Sequence, residues 1–195
     1  MDTKKIVNFI FELNQLKKQK TSGWKLAGID TTVSNADHTL RAAQIGYILA
    51  TMEKCENPDK VATILVIHEN GEVRIGDQNK VSARYYNKKE AEKNAFIEQL
   101  DGLGETIENK WKQYFEEFEE RNTQEGIIAK DADWLETAFQ AKEYADLGYP
   151  TQNWIDNVEK ALETESAKKL LTEMKNTKFT DWWTDLKKMT YTKLR

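Results

Sequence analysis

The sequence predicts an all-α fold in a single domain, and three observations support this. Only 9 glycines and 2 prolines occur among the 195 residues, so the chain has few of the tight turns that an all-β fold needs. Apolar residues recur at intervals of three and four along most of the chain, which is the spacing of one face of an α-helix. Neither an internal repeat nor a flexible linker divides the sequence. We therefore expect one helical bundle over residues 1–195.

Two helices separated by a loop are expected near the N-terminus. Residues 4–20 and residues 34–54 each place apolar side chains at helical spacing, and Ser34 or Asn35 can cap the second helix. The segment 20–34 contains two glycines and lacks this spacing. We therefore predict a loop there that joins the two helices.

The segment 61–67 is almost wholly apolar, and its composition alone fits either a buried helix or a buried strand. Asn57-Pro58 stands just before it, a cap residue followed by proline in the first helical position, and this favours the helix. The segment ends at the polar residues 68–72. Gly76-Asp77 then predicts a turn.

Further helices are predicted for the second half of the chain, at residues 88–100, about 105–121, about 124–146 and 151–176. Gly148-Tyr149-Pro150 ends the third of them. The C-terminal stretch is expected to form a short helix that packs its apolar side chains against the body of the protein. These side chains are Phe179, Trp182, Trp183, Leu186 and Tyr191.

The composition indicates which kinds of partner and which cellular compartment to expect. The formal net charge is −4 and the pI about 5.4, without the excess of lysine and arginine typical of a nucleic-acid-binding surface. No apolar run approaches the roughly 18 residues of a membrane span, and the N-terminus lacks the apolar region of a signal peptide. The single cysteine, Cys55, excludes an intrachain disulfide. We expect a cytoplasmic protein with neither a nucleic acid polymer nor a membrane as partner.

The two histidines of the chain are the first candidates for chemistry. His38 and His68 each stand next to a carboxylate, and the acidic pair Asp131 and Asp133 lies on a predicted helix much later in the chain. Imidazole and carboxylate groups that converge from separate helices form a typical divalent-metal site. Glu72 shares a face with His68 if the helix continues that far. A single histidine on a helix is more often an ordinary core or surface residue than a metal ligand, and the two aspartates could be solvated helix charges. Only one of the two aspartates is expected to face inward.

Four strings of the sequence together resemble the signature segments of the HD-domain phosphohydrolase superfamily. They are GWKLAGI at residues 23–29, ADHTLRAA at 36–43, HENGEVRIGD at 68–77 and KDADWLE at 130–136. The strings occur in the family order and at family-like spacing over roughly residues 10–150. The chain is most similar to the 5′-deoxynucleotidase branch of this superfamily. The resemblance implies an HD-domain helical bundle, often dimeric, with further helices beyond residue 150.

The resemblance also implies which residues form the site. By position, the metal ligands would be His38, His68, Glu69 and Asp133. Glu72 and Asp77 match the acidic residues that position or activate the attacking water. Trp24 matches a residue that shapes the nucleoside pocket, although its size would equally suit a core anchor for its loop. Histidine and carboxylate ligands suit Mn, Co, Fe, Ni or Zn, so the metal is not identified.

Three positions depart from the family pattern. Glu69 stands where the family has aspartate, which puts the carboxylate on a stem one methylene longer. Thr21 stands where many relatives carry an arginine that meets the substrate phosphate, and Val33 where many carry a glutamate. The basic side chains that could replace the arginine are Lys20, Lys25, Lys80 and Arg84. Of these, Lys80 and Arg84 are the candidates for substrate binding.

These features predict a metal-dependent hydrolase that removes phosphate from (deoxy)nucleoside 5′-monophosphates, with a small-molecule nucleotide as its substrate. Hydrolysis of a (deoxy)nucleoside triphosphate is one alternative and would need further basic residues near the site. A nucleotide-binding protein with weakened catalysis is another, and Glu69 is the reason to consider it. The family resemblance implies a homodimer.

Overall fold

The computed structural model confirms the all-α prediction. It describes residues 1–184 and 186, over which the chain forms α-helices and short 3-10 helices but no β-strand. The α-helices are α1 (Thr3–Leu13), α2 (Asn35–Met52), α3 (Pro58–Ile67), α4 (Glu72–Ile75), α5 (Lys88–Leu100), α6 (Glu105–Glu120), α7 (Gln124–Asp146), α8 (Gln152–Ala161), α9 (Glu165–Asn176) and α10 (Asp181–Thr184). An isolated antiparallel bridge between Lys20 and Ser34 closes the predicted loop at its base.

The long helix α7 forms the centre of the bundle. It packs against α2, α3, α6, α8 and α9, and its buried side chains are distributed along nearly its whole length. Thr123 caps its start, since the Thr123 side chain accepts a hydrogen bond from the backbone N–H of Gly126. None of the described helices is both long and apolar enough to cross a membrane. The burial of α7 comes instead from the helices that surround it.

The close approach of α2 to α3 depends on Gly46. A Cβ atom at this position would collide with Leu65 Cδ1 and would lie 3.1 Å from Val61 Cγ1, both on α3. Ala132 of α7 would lie 3.6 Å away. Any larger residue would push these three helices apart. Gly46 therefore holds together the helices that carry the candidate site.

The predicted helices near the N-terminus are confirmed with one change. The segment 61–67 lies in α3, which decides between helix and strand. Residues 4–20 form α1 followed by a separate 3-10 helix, Asn14–Lys17, rather than one helix. The backbone N–H groups of both Lys18 and Gln19 donate to the oxygen of Gln15, which tightens this last turn.

Residues 151–176 form two helices, α8 and α9, where one helical stretch was expected. The break has a tertiary cause. Asp131 of α7 accepts hydrogen bonds from the backbone N–H groups of Glu163 (3.0 Å) and Thr164 (2.7 Å). These groups lie at the start of α9, where a helix leaves its N–H donors without internal partners. A side chain from another helix therefore fixes this boundary.

Helical spacing in residues 34–54 predicts an apolar face of Leu40, Ala43, Ile45, Ile48 and Leu49 for α2, and this prediction is partly wrong. Leu40 and Ile48 are exposed. The buried face consists mainly of smaller residues, namely Asn35, His38, Thr39, Ala42, Ala43, Gly46, Leu49 and Ala50. Small side chains on this face permit the close packing against α3 and α7.

The predicted packing of the C-terminal aromatic residues is wrong for those that the structure describes. The helix α10 has a single turn, in which Trp182 is 74% exposed and Trp183 is also exposed. Phe179 and Leu186 are exposed as well. Tyr191 lies outside the described residues. The described apolar side chains of this stretch therefore remain exposed and are not part of the core.

Candidate active site

Two imidazole rings face each other inside the protein. His38 lies in the first turns of α2, and His68 follows the last residue of α3. Both are buried, and their Nε2 atoms are 3.2 Å apart. The Nδ1 atom of His38 lies 2.5 Å from Glu136 Oε2, and that of His68 lies 2.6 Å from the backbone oxygen of Leu65. Because a carboxylate and a carbonyl only accept hydrogen bonds, both Nδ1 atoms carry hydrogen, and each Nε2 atom presents a lone pair when its ring is neutral.

Two carboxylates complete this cluster of acceptor atoms. Glu69 Oε1 lies 3.2 Å from His68 Nε2 and 3.9 Å from His38 Nε2. Asp133 Oδ1 lies 3.2 Å from His38 Nε2 and 3.8 Å from His68 Nε2. Four lone-pair atoms that converge without a hydrogen between them repel one another, whereas a cation at their centre satisfies all four. The residues therefore fit a divalent metal ion, and His38, His68 and Glu69 bring ligand atoms within 4.8 Å of one another.

The charges of the cluster shift the pKa values of its members. Burial disfavours the charged form of His68, but Glu69 and Asp133 together outweigh burial and raise the pKa of His68 to about 9. Burial also opposes ionisation of Asp133, yet the charge of Lys130 and the imidazoles in their protonated form hold its pKa well below the usual range. The cluster thus favours positive charge at its centre, as a cation site requires.

A tight turn places His68 and the residue after it. The chain turns through residues 68–71 before α4 begins, so the helical relation expected between His68 and Glu72 does not hold. Gly71 packs so closely against α5 that a Cβ atom there would lie 2.6 Å from the backbone oxygen of Glu92. The lack of a side chain at Gly71 therefore lets the turn sit against α5.

Glu72 is held between an amide and an ammonium group. Its side chain is almost fully buried. Asn35 Nδ2 donates to Glu72 Oε2 at 2.7 Å and to Glu69 Oε2 at 2.9 Å, and Lys88 Nζ donates to Glu72 Oε1 at 2.6 Å. Burial raises the pKa of Glu72, and the negative charge of Glu69 adds to the shift. Asn35 and Lys88 are candidates for function that the sequence did not indicate.

Asp77 reaches the same region from the loop after α4. Its Oδ2 atom accepts a hydrogen bond from the backbone N–H of Ser22, and its backbone oxygen accepts one from the Ser22 hydroxyl at 3.2 Å. Gly76, just before it, has a φ of 77°, a conformation that favours glycine. Asp77 and Glu72 both line one cavity, so the structure brings together the two carboxylates that were predicted to be catalytic.

The cavity has a volume of about 740 Å³ and includes the cluster in its wall. Apolar side chains also line it, among them Trp24, Leu26, Val33, Trp154 and Val158. The lysines of the wall are Lys80, Lys88, Lys89 and Lys130. Three of these lysines pair with carboxylates of the same wall, at nitrogen to oxygen distances between 2.6 and 3.5 Å. The size and lining suit a small molecule that has an apolar part and an anionic part.

The residues predicted to bind substrate are only partly brought together. Trp24 is 5% exposed, and its ring centroid lies 5.3 Å from that of Tyr144 and 5.4 Å from that of Trp154. Trp24 therefore anchors its loop in the core while it also lines the cavity. Lys80 lines the cavity, whereas Arg84 is exposed on a 3-10 helix outside the wall.

The two other departures from the family pattern also lie at the cavity. Thr21 and Val33 both line its wall. Lys20 and Lys25, which could have supplied positive charge close to Thr21 in the sequence, are exposed and lie outside the wall. The positive charge of the wall comes instead from lysines on α5, on α7 and in the loop after α4.

Glu136 and Arg41 support the first histidine. Glu136 Oε1 accepts a hydrogen bond from Arg41 Nε at 2.8 Å, while its other oxygen holds His38. Arg41 also donates to Gln140 at 2.9 Å and to Glu143 at 2.6 Å. Arg41 stands three residues after His38, and Glu136 lies inside another of the matched strings. Glu136 likewise stands three residues after Asp133, and residues three apart lie on the same face of a helix. The sequence could therefore have indicated both residues as partners of the ligands.

The expectation that only one of Asp131 and Asp133 faces inward is wrong. Asp133 joins the cluster, and Asp131 is 1% exposed and binds the start of α9. Two residues along a helix are about 200° apart around its axis. The two side chains therefore face different helices, and both are removed from solvent.

Comparison with known proteins gives these observations a family context. The family model described as HD domain matches residues 13–176. The 5′-deoxynucleotidase HDDC2 of Dictyostelium discoideum is 29% identical over 150 residues, which cover 72% of this chain and 78% of that protein. The 5′-deoxynucleotidase HDDC2 of Homo sapiens is 26% identical over 145 residues, which cover 73% and 69%. A conserved hypothetical protein from Pyrococcus furiosus, with a solved structure, matches with a TM-score of 0.74 and 28% identity, over 88% of this chain and 99% of that one.

Proposed function

This chain belongs to the HD domain family of metal-dependent phosphohydrolases, and we propose that it removes phosphate from (deoxy)nucleoside 5′-monophosphates. One observation supports this most strongly. Two buried imidazoles and two carboxylates converge in the wall of a cavity large enough for a nucleotide. The relatives at 26% and 29% identity are named 5′-deoxynucleotidases, which supports the nucleotide as the substrate class.

The proposed metal ligands are His38 Nε2, His68 Nε2, Glu69 Oε1 and Asp133 Oδ1. A divalent ion bound to them screens the phosphate charge, polarises a phosphoryl oxygen and lowers the pKa of water in the site. Histidine and carboxylate ligands suit Mn, Co, Fe, Ni or Zn. Glu136 and the backbone of Leu65 hold the two rings in the tautomer that presents Nε2 to the ion.

Glu72 and Asp77 are the proposed catalytic carboxylates. The attacking water must lose a proton and the leaving 5′ oxygen must gain one, and a carboxyl group can serve in either step. Glu72 approaches from α4 and Asp77 from the loop that follows, and both line the cavity. Two separate groups are therefore available for the two proton transfers.

The cavity wall supports a monophosphate over a triphosphate. Trp24 and Trp154 offer aromatic surface for the nucleoside, and Lys80 offers positive charge for the phosphate. A triphosphate carries more negative charge and would need more cationic side chains. Three of the four lysines of the wall already pair with carboxylates, and Arg84 lies outside it.

Glu69 is compatible with an active enzyme. Its Oε1 atom lies as close to His68 Nε2 as Asp133 Oδ1 lies to His38 Nε2, at 3.2 Å in each case. The longer side chain therefore reaches the cluster. This favours catalysis over the alternative of a nucleotide-binding protein with weakened chemistry.

The proposal extends to assembly and compartment through the family resemblance. We infer a cytoplasmic homodimer, and the single, buried Cys55 is compatible with reducing conditions. Light scattering of the purified protein tests the dimer. We expect a mass of twice the 22.7 kDa of the chain, and a mass equal to one chain would contradict the dimer but not the chemistry.

Phosphate release from a panel of nucleotides tests the activity. The panel contains nucleoside and deoxynucleoside 5′-mono- and triphosphates, each assayed with Mn²⁺, Co²⁺, Mg²⁺ and Zn²⁺ in turn. We expect single phosphate from the monophosphates. Release of pyrophosphate or triphosphate would instead support the triphosphate alternative. A silent native chain beside an active Glu69→Asp variant would support the weakened protein.

The variant His68→Ala tests the proposed mechanism. The substitution removes one of the four proposed ligands, so metal content and phosphate release should both fall. Metal content is measured by elemental analysis after dialysis against metal-free buffer. If both quantities matched those of the native chain, the proposed site would be wrong.

A further inference from the structure

Asn35, the first residue of α2, touches two carboxylates of the site and has no role in the chemistry proposed above. Its side chain is 1% exposed. Its Nδ2 atom donates to Glu69 Oε2 at 2.9 Å and to Glu72 Oε2 at 2.7 Å. An amide nitrogen carries two hydrogens and no net charge. Asn35 can therefore join two carboxylates without changing the charge of the site.

The two oxygens of Glu69 have different partners. Oε1 faces the imidazoles at 3.2 Å from His68 Nε2, while Oε2 accepts the hydrogen bond from Asn35. A glutamate side chain has three torsions, so an unrestrained Glu69 would populate rotamers that turn its carboxylate away from the cluster. The hydrogen bond to Oε2 selects the rotamer in which Oε1 reaches the imidazoles.

Asn35 itself is firmly placed. Ser34 and Asp37 form a capping box at the start of α2, and the backbone N–H of Asn35 donates to the oxygen of Gln19 at 3.1 Å. The Oδ1 atom of Asn35 is buried and has no hydrogen-bond partner among the described residues. A buried acceptor without a partner lowers the stability of the fold, so packing alone does not explain why asparagine stands at position 35. The two hydrogen bonds that Nδ2 donates to Glu69 and Glu72 do explain it.

We propose that Asn35 is a positioning residue for the metal site, which holds Glu69 so that its longer side chain places a carboxylate oxygen in the cluster. The inference rests on the ligands proposed above. An aspartate at position 69 would be shorter by one carbon–carbon bond, about 1.5 Å. For one oxygen of that aspartate to meet the cluster, its carboxylate would have to turn or its backbone would have to shift, so we expect its second oxygen to lose the alignment with Asn35 Nδ2 that Glu69 Oε2 has. The contribution of Asn35 should therefore depend on Glu69.

A double-mutant cycle on the full chain tests this dependence. The four proteins are the native chain, Asn35→Leu, Glu69→Asp and the double variant. Their Mn²⁺ stoichiometry and affinity are measured by elemental analysis and titration calorimetry, and the fold of each apo protein by circular dichroism. We expect Asn35→Leu to weaken Mn²⁺ binding by about 10- to 100-fold in the native background, as for other outer partners of metal ligands. In the Glu69→Asp background, we expect a change of no more than about twofold, the scatter of independent sites.

A matched control and a second variant keep the test decisive. Asn57→Leu makes the same chemical change at an exposed position before α3, where the side chain donates to Glu125 at 3.4 Å and to no other described residue, and should leave Mn²⁺ binding unchanged. If Asn35→Leu does not fold, Asn35→Ala replaces it, because alanine cannot crowd the site. An equal loss of affinity in both backgrounds, or none in the native one, would overturn the inference and leave the proposed function standing. A native chain that binds none of Mn²⁺, Co²⁺, Fe²⁺, Ni²⁺ and Zn²⁺ would overturn both.

Discussion

At the scale of single residues, the carboxylates of the site differ in the groups that their oxygen atoms contact. Glu69 and Asp133 each direct one oxygen toward the imidazoles. Glu72 instead has its two oxygens bonded to Asn35 and Lys88. Glu72 is therefore not one of the proposed metal ligands, which leaves it the proposed role in proton transfer.

The variant Glu72→Gln tests whether Glu72 acts in proton transfer and not in metal binding. Glutamine keeps the shape of the side chain but cannot transfer a proton, so we expect hydrolysis to fall by about 10²- to 10⁴-fold while metal content is retained. The measurements are phosphate release under saturating substrate and metal content after dialysis. Glu69→Gln is the matched control and should lose metal. Full activity of Glu72→Gln would show that another group moves the protons.

Glu12 gives a pH dependence of stability outside the site. Its carboxylate accepts hydrogen bonds from Arg74 Nε at 2.5 Å and from Gln99 Nε2 at 2.9 Å. The hydrogen bond from Arg74 holds the pKa of Glu12 below its ordinary value of 4.5. Because the folded pKa lies below the unfolded one, the stabilisation is complete above pH 4.5 and is lost as the pH falls through the folded pKa.

The variant Glu12→Gln should therefore be less stable than the native chain at pH 7, and the difference should shrink in acid. Since the pair is partly exposed, we expect about 0.5–1 kcal/mol at pH 7. Urea unfolding of both proteins at pH 7 and below pH 4 measures the two differences. A difference that did not change with pH would contradict the assignment to this carboxylate.

At the scale of helices, contacts between elements determine features that the local sequence does not show. The break between α8 and α9 contains neither glycine nor proline, and its N–H groups are satisfied by Asp131 from α7. Ile48 is exposed because Gly46 faces α3 and α7, and a residue two positions further along a helix points to nearly the opposite side. Both depend on which helices meet.

The two aspartates of α7 should have separable effects. Asp131→Ala leaves the N–H groups at the start of α9 without an acceptor, so we expect a loss of about 1–3 kcal/mol in the free energy of unfolding and unchanged metal uptake. Asp133→Ala should abolish metal uptake and leave the hydrogen bonds at the start of α9 intact. Urea unfolding and metal analysis of both variants measure this. The same loss of metal in both would show that the two residues serve one site.

The sequence predicted the cluster better than its surroundings. The histidines, Glu69 and Asp133 lie within strings whose order and spacing resemble one family, and the structure brings them together. Asn35 and Lys88 could not be predicted in this way. Their contacts depend on how α2 and α5 approach the turn after α3, which no local spacing encodes.

At the scale of the whole molecule, the cluster joins α2, α7 and the turn after α3. His38 and Asp133 are far apart in the sequence, so their atoms meet only in the folded chain. An ion that binds this cluster binds the folded state alone. Metal binding and folding should therefore be linked by mass action.

Addition of Mn²⁺ should raise the melting temperature of the native chain in one cooperative transition. At a concentration 100 times the Kd, the gain is about 2.7 kcal/mol. For a chain of this length we expect a rise of about 5–10 °C, reversed by a chelator. Differential scanning calorimetry measures the rise, and Asp133→Ala should show none. Two separate transitions would contradict the prediction of a single domain.

The position of a residue along α7 determines the direction in which its side chain points. Each residue rotates the helix by about 100° and advances it by about 1.5 Å. In this way Asp131 meets α9, Glu136 meets His38, and Gln140 and Glu143 meet Arg41. An insertion of a single alanine after Asp131 would preserve every side chain and still turn all the later ones away from their partners. The number of residues in this helix is thus as much a part of the site as their identity.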